Sequence, residues 1–301
     1  MGSSRTADKT QIPALCQFWR SISLNLPHVR CFGLNISLTL ATMVVLSVVR
    51  FTLEFCMVQF FDWPANTYVT KNAASSAAAI FHSGSLVPTL GALLWTAKAY
   101  RPSEKLSDEP VWWQDTVDAM LQFCTGYMLY DGLLNIVWMS LTVRGEIQGD
   151  DFLFLFHHIF TILYMSSTRI LQAGHQSAMI CMFFGEMTNP FHNTYLVLQT
   201  AQTLDCCNGP SSQLAFRISA VAFGAAYVVI RAAAGPFICL HMTWDLWAYG
   251  RKHIPTTAIA IWTLMIWAIM YGSIPWMQAC WGLLVAEFPM LAIGGAKQDE
   301  L

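Results

Sequence analysis

The segment DDFLFLFHHIFTILYM, residues 150–165, is an apolar run that contains two adjacent histidines, His157 and His158. Imidazole rings are costly in hydrocarbon unless another group or water satisfies them. The run is therefore typical of a membrane helix whose polar residues face neighbouring helices and not lipid. Whether it belongs to a helical bundle depends on how many similar runs the rest of the chain contains.

The composition is that of a membrane protein. Of the 301 residues, 55% are hydrophobic and only 11% are charged, whereas soluble proteins carry about 25% charged residues. The formal net charge is −2, and no basic stripe is present that could neutralise the phosphates of a nucleic acid. We therefore expect a polytopic membrane protein without a nucleic-acid partner.

Seven apolar windows have about the length that a bilayer-spanning helix needs. They cover residues 36–60, 73–96, 117–141, 152–170, 176–198, 214–240 and 258–286. The predicted fold is therefore an all-α, polytopic membrane bundle of about seven transmembrane helices. We divide the chain into an N-terminal arm (1–35), a first helix with its connection (36–69), a main domain (70–286) and a C-terminal tail (287–301).

The connections between these windows alternate in charge. Basic residues gather in the N-terminal arm and in every second connection: Arg5, Lys9, Arg20, Arg30, Lys98, Arg101, Lys105, Arg169, Arg251 and Lys252. The other connections either lack basic residues or place them beside acidic ones. Because short cytosolic segments carry the excess of Lys and Arg, we predict a cytosolic N-terminus and a lumenal C-terminus.

The last four residues resemble the tetrapeptides that a lumenal retrieval receptor recognises. They are Gln298, Asp299, Glu300 and Leu301. On the predicted topology they face the lumen of the endoplasmic reticulum. A retrieval receptor is therefore a candidate partner.

Polar residues inside the windows are the candidate site residues, because each is costly at membrane depth unless it is paired or hydrated. The candidates for catalytic chemistry are Asp131, His157, His158 and Glu186. The candidates for lining a pocket or for structural hydrogen bonds are His82, Asn189, Asn193 and Arg231. Arg231 either bonds to a carbonyl or carboxylate of a neighbouring helix or, if it lines a cavity, holds a lipid phosphate.

Asp131 has no basic residue one helical turn away. At helical spacing it shares a polar to aromatic stripe with Cys124, Tyr127, Asn135 and Trp138. Lipid offers no partner to a carboxylate, so this stripe is predicted to face the interior of the bundle. Asp131 is then expected to find its partner on another helix.

The fifth window places a proline beside polar residues. Glu186, Asn189 and Asn193 follow the spacing i, i+3 and i+7, which puts them on one helix face. Pro190 comes four residues after Glu186, so its ring clashes with the Glu186 carbonyl. We predict a kink there that faces a cavity or a partner helix.

The two histidines are predicted to have different roles, because adjacent helical residues diverge by about 100°. One ring can point into a cavity while the other bonds to a neighbouring helix. Two interpretations stay open: interhelical hydrogen bonding by both rings, and acid–base or nucleophilic chemistry at an acyl group. A di-iron site is excluded, because HxxxH is absent and HxxHH would need a histidine at Phe154. The nine cysteines lack zinc-site spacing, so no metal or other cofactor is expected.

Four stretches together resemble the TLC domain family over about residues 70–281. They are SSAAAIFHS with Ser76 and His82, GYMLYDGL, FHHIFTILYMSS and GEMTNPFHN. Within the family the chain looks most similar to the small TLC-domain-containing proteins related to transmembrane protein 56, and more distantly to ceramide synthases. The resemblance implies an endoplasmic reticulum protein whose helices enclose a lipid-sized cavity with the histidine pair inside.

The resemblance to ceramide synthases is incomplete at the fifth window. In those enzymes the matching histidines serve acyl transfer from coenzyme A to a sphingoid amine. They also carry an HDxxD-type motif where this chain has GEMTN, residues 185–189, with Glu186 as the one carboxylate. Relatives with the Gly-Glu motif are associated with lipid homeostasis.

We therefore expect a protein that binds or handles a membrane lipid or fatty acyl chain in an intramembrane pocket. The first alternative is an N-acyltransferase similar to ceramide synthase, which would use acyl-CoA arriving from the cytosol and a sphingoid base. The second is a cargo receptor or scaffold of the early secretory pathway, for which the retrieval-like tail is the support.

Overall fold

The computed structural model describes residues 12–98 and 101–296, and about four-fifths of them are helical. The α-helices of this part are α1 (Ala14–Asn25), α2 (Ser37–Phe60), α3 (Tyr68–Thr96), α4 (Val111–Tyr130), α5 (Gly149–Leu171), α6 (His175–Glu186), α7 (Asn189–Ala201), α8 (Pro210–Tyr227), α9 (Gly235–Ala248), α10 (Thr256–Gly272) and α11 (Ile274–Ala296). A two-stranded antiparallel hairpin, β1 (Arg30–Cys31) and β2 (Leu34–Asn35), precedes α2. The retrieval-like residues 298–301 lie outside the described residues.

Three π-helical segments and two short 3-10 helices complete the described secondary structure. The π-helical segments are Asp131–Trp138, Ser140–Arg144 and Val228–Ala234, and the 3-10 helices are Leu106–Asp108 and Gly250–Lys252. Two site residues predicted from the sequence, Asp131 and Arg231, lie in π-helical segments. Such wide turns occur frequently at functional sites.

Four stretches of the described chain are long and apolar enough to cross a membrane. They are Ser37–Phe60, Tyr68–Thr96, Pro210–Lys252 and Thr256–Phe288. The prediction of an all-α membrane bundle is therefore confirmed. The other three predicted windows are also helical, in α4 with its π-helical continuation, in α5, and in α6 with α7. The number of seven spans stays a prediction.

The bundle is apolar on its outside and partly polar within. On α2, Val44, Val48, Phe51 and Phe55 are all more than half exposed. On α3, by contrast, His82 and Ser83 are fully buried. This distribution suits a lipid solvent, in which polar groups must find their partners inside the protein.

Small residues bring α2, α3 and α4 close together. A Cβ atom added at Gly126 of α4 would lie 2.6 Å from the carbonyl oxygen of Thr39 and 2.7 Å from the Cβ of Thr42, both on α2. The Ala/Ser run of α3 is also buried, including Ala73, Ala74 and Ala78. Close packing of this kind is typical of membrane helices. It holds the C-terminal end of α4, and with it Asp131, against α2 and α3.

The helix break predicted at Pro190 is confirmed. α6 ends at Glu186 and α7 begins at Asn189, with Pro190 in its first turn. A second break separates α10 from α11 at Ser273, two residues before Pro275. In both places the proline lacks the N–H group that would continue the helical hydrogen bonds.

One member of the predicted interior stripe is on the outside. Cys124, Tyr127 and Asn135 are buried as predicted, but Trp138 is 63% exposed. The prediction assumed α-helical spacing, whereas the helix is π-helical from Asp131 onwards. Each π-helical residue turns by less than the ~100° of an α-helix, so the seventh residue after Asp131 no longer lies on its face.

Candidate functional site

A cavity of about 380 Å³ lies inside the bundle. We call it the polar cavity. Its wall contains seven of the eight residues predicted from the sequence: Asp131, His157, His158, Glu186, Asn189, Asn193 and Arg231. The eighth, His82, lies behind this wall. These residues come from five helical elements spread over 100 positions of the chain, and the fold brings them together.

His158 and Asp131 form the tightest contact of the site. His158 Nε2 lies 2.9 Å from Asp131 Oδ2, and His158 Nδ1 lies 2.6 Å from the carbonyl oxygen of Phe154. The carbonyl can only accept, so Nδ1 carries a hydrogen, and one further proton is shared between Nε2 and the carboxyl group. The partner that Asp131 was predicted to have on another helix is therefore His158 of α5.

Asp131 is also the start of a chain of polar contacts that crosses three helices. Asn135 Nδ2 donates to Asp131 Oδ1 at 2.7 Å, and Ser75 Oγ donates to Asn135 Oδ1 at 2.7 Å. Arg50 Nε then donates to Ser75 Oγ at 3.2 Å. Arg50 Nη2 lies 3.5 Å from Glu54 Oε2. The ion pair of α2 is thus connected to the histidine of α5 through buried side chains.

His157 differs from His158 in having no side-chain hydrogen bond within the described part of the chain. Its ring lies nearly perpendicular to that of His158, with ring centroids 5.8 Å apart. His157 lines the polar cavity. The predicted division of roles is therefore present in the geometry: His158 is bonded to a neighbouring helix, and His157 is available to a ligand.

Glu186 at the end of α6 has one hydrogen-bond partner, Asn189, and a second polar neighbour, His82. Asn189 Nδ2 donates to Glu186 Oε2 at 2.8 Å, and His82 Nδ1 lies 3.7 Å from the same oxygen. His82 is completely buried and stacks on the Tyr127 ring at a centroid distance of 3.9 Å. His82 therefore acts from behind the cavity wall, next to Glu186.

Asn193 and Arg231 donate to backbone carbonyls on either side of the helix break. Asn193 Nδ2 donates to the Asn189 carbonyl at 2.9 Å, and Arg231 Nη2 donates to the Gly185 carbonyl at 2.9 Å. Of the two roles predicted for Arg231, the bond to a neighbouring helix is present. Arg231 also lines the cavity.

A second, smaller cavity of about 100 Å³ adjoins the first. We call it the apolar cavity. It shares five wall residues with the polar cavity: Met128, His157, Glu186, Arg231 and Ile269. Apart from these, its wall is mostly aliphatic, sulfur-containing or aromatic, as at Met242, Cys239 and Phe184. A polar and an apolar compartment thus meet at His157, Glu186 and Arg231.

Residues 72–287, well over half of the chain, match the sequence model of the TLC domain. The chain belongs to the TLC domain family. It is therefore a membrane protein linked to lipid metabolism or handling. Searches of curated proteins and of solved structures found no match. The finer likeness to the proteins related to transmembrane protein 56 stays a prediction.

Sequence reasoning missed some residues of this TLC domain site. Ser75 connects Asn135 to Arg50, yet in the sequence it is one of two serines in an alanine run. Asp151, Tyr227 and Trp276 also line the polar cavity. The two serines of 75–76 were the available signal, because hydroxyl groups at membrane depth often bond to other helices.

Proposed function

We propose that this TLC domain protein acts in lipid homeostasis in the endoplasmic reticulum membrane, by binding or handling a lipid or acyl chain in its two adjoining cavities. The observation that supports this most is His157, whose side chain has no hydrogen bond within the described residues and lies where the polar and apolar cavities meet. An amphiphile needs both environments next to each other. Ligand sites of this type combine an apolar wall with a few converging polar groups.

The order of the two cavities along α5 favours a membrane lipid over acyl-CoA as the ligand. The polar cavity reaches Tyr68 and Asn72 at the start of α3 and Asp151 at the start of α5. The apolar cavity lies further along α5, at Thr161, Tyr164 and Met165. On the topology we propose, the starts of α3 and α5 face the lumen, whereas acyl-CoA would arrive from the cytosol. A lipid that enters tail first from the lumenal side of the bundle fits this arrangement better.

The test is to fill the apolar cavity. Cys239→Trp places a large ring in its wall, whereas Leu240→Trp is a matched control, because Leu240 is 56% exposed on the outside of α9. Lipids that copurify with the protein in mild detergent are identified by mass spectrometry. We expect at least one abundant species to be lost from Cys239→Trp and kept in Leu240→Trp. The same lipid profile in both variants would contradict the proposal.

The alternative function is an N-acyltransferase, and the observation that favours it is the unbonded ring of His157 beside the His158–Asp131 pair. In such a reaction the amine nitrogen forms a C–N bond with the thioester carbonyl, the C–S bond breaks, and the amine proton passes through a base to the leaving thiolate. His157 has a ring nitrogen available for this proton, whereas both nitrogens of His158 already have partners. We rank this function second, because Glu186 is the one carboxylate in residues 185–189.

The enzyme proposal is tested with protein in nanodiscs, acyl-CoA and a panel of sphingoid and other amines. Intact-mass and lipid mass spectrometry detect an acyl adduct or an N-acyl product. Loss of this signal in His157→Ala, with the signal kept in the control His241→Ala outside both cavities, would place acyl transfer above lipid binding. If no amine gives a product, lipid binding stays ranked above acyl transfer.

A further inference from the structure

We propose that Arg231 binds the anionic head group of a single-chain amphiphile, a carboxylate or a phosphate, whose tail occupies the apolar cavity. This inference rests on the lipid-binding function proposed above and adds the charge of the ligand to it.

Arg231 is partly buried, and its guanidinium group has few hydrogen-bond partners. The group has five N–H donors, and the bond to the Gly185 carbonyl satisfies one of them. Its Nε is buried without a partner in the described part of the chain. The Tyr227 ring, 5.7 Å from the guanidinium carbon, adds a weak cation–π contact.

No carboxylate within the described residues forms an ion pair with Arg231. Glu186 in the cavity wall is close enough to interact electrostatically with Arg231, but its side-chain hydrogen bond is to Asn189. The other ionisable side chains near Arg231 are His157, Cys181, His192, Tyr227 and Cys239, and none of them is a carboxylate. A cation without an ion-pair contact is costly inside a membrane protein, so an anionic ligand oxygen would complete the site.

The shape of the site restricts the ligand to one chain. Arg231 is at the junction, so a head group bound to it has the apolar cavity beside it. The apolar cavity, at about 100 Å³, is much smaller than the polar cavity, at about 380 Å³, so we assign it one chain and not two. Six wall residues of this cavity are methionines, Met128, Met165, Met182, Met242, Met265 and Met270. Methionine side chains are flexible and adapt to irregular ligands, so the cavity can lengthen around one tail.

The test compares ligands of one chain length and different head groups. Decanoate, decyl phosphate, 1-decanol and inorganic phosphate are titrated against the full-length protein in nanodiscs, with native mass spectrometry as the readout. Arg231→Gln removes the charge and Arg231→Lys keeps it. Arg217→Gln is the matched control, because Arg217 lies on α8 of the same continuous helix and lines neither cavity.

We expect decanoate or decyl phosphate to bind wild-type protein at least about tenfold more tightly than decanol, as a charge-assisted bond predicts. Arg231→Gln should remove this preference, because it weakens binding of the anions far more than binding of decanol. Arg231→Lys should keep part of the preference, and Arg217→Gln should keep all of it. If Arg231→Gln fails to fold, the inference is still tested by the preference of the wild-type protein for the anions over decanol, and by whether Arg231→Lys keeps that preference.

Equal affinity for decanol and both anions would overturn the inference and leave the lipid-binding function standing. Displacement of decanoate by inorganic phosphate at similar concentration would also overturn it, since the site would then hold a free anion. If none of the three ten-carbon ligands binds, the lipid-binding function fails as well.

Discussion

His158 and Asp131 join α5 to the π-helical end of α4 through a 2.9 Å contact between Nε2 and Oδ2. The side chain of His158 is 6% exposed and that of Asp131 is 20% exposed. Removing one partner of such a pair leaves the other buried without compensation. The pair is therefore expected to stabilise the fold as well as to shape the site.

We expect Asp131→Ala to lower the free energy of unfolding by about 3 kcal/mol. Asp131→Asn should cost less, because the amide can still take part in hydrogen bonds with His158 and Asn135. Thermal unfolding in detergent, followed by tryptophan fluorescence, measures the difference. Equal melting temperatures for the wild type and Asp131→Ala would show that the contact contributes nothing to stability.

The two histidines are expected to respond differently to substitution. His158→Ala breaks two contacts, to Asp131 and to the Phe154 carbonyl, and should lower the melting temperature clearly. His157→Ala breaks no side-chain hydrogen bond of the described residues and should leave the melting temperature near that of the wild type while weakening ligand binding. A larger loss of stability in His157→Ala than in His158→Ala would contradict this division of roles.

The contact between Ser75 and Asn135 is expected to couple the two residues energetically. Because their side chains are 2.7 Å apart, Ser75→Ala and Asn135→Ala should be non-additive by about 0.5 to 1.5 kcal/mol. A double-mutant cycle of unfolding free energies measures this coupling. Additive effects would mean that the chain of polar contacts from Asp131 to Arg50 does not act as a unit.

Gly126 is expected to be intolerant of even one added methyl group. Gly126→Ala would force α2 and α4 apart, with an expected cost of about 1 to 3 kcal/mol. Gly84→Ala is the control: a Cβ there meets nothing within 4 Å, so alanine should be neutral or stabilising in the helix. Equal stability of the two variants would contradict the close packing at Gly126.

Much of this fold could be predicted from the sequence, because membrane helices are apolar and long. The window 36–60 differs from α2 by one residue. Other helices are longer than their windows: α3 begins at Tyr68 and α4 at Val111. Hydropathy detects the lipid-facing part of a helix and not its polar ends, which are still helical.

The sequence predicted which residues form the site better than it predicted the contacts between them. A buried carboxylate such as Asp131 must have a partner, so the sequence indicated that one exists without showing that it is His158. The π-helical turn after Tyr130 has no clear sequence signal, and it moved Trp138 to the surface. The link from Asn135 through Ser75 to Arg50 depends on how three helices pack, which helical spacing along one segment does not specify.

The orientation in the membrane is a separate prediction. We expect an epitope at Leu301 to be inaccessible in cells in which the plasma membrane alone is permeabilised, and accessible after all membranes are permeabilised. The distribution of Lys and Arg between the connections is the reason. Labelling after selective permeabilisation would put the tail in the cytosol. The starts of α3 and α5, where the polar cavity lies, would then face the cytosol and not the lumen.

Photolabelling tests the central claim, a lipid or acyl chain inside the two cavities, most directly. A diazirine-bearing fatty acid is cross-linked to the protein in nanodiscs with and without excess unlabelled fatty acid, and modified peptides are mapped. We predict competable labelling at cavity residues such as Met165 and Met242, and non-competable labelling at outward positions such as Val48 and Leu264. Labelling confined to the outward positions, with none that competitor removes, would contradict the claim.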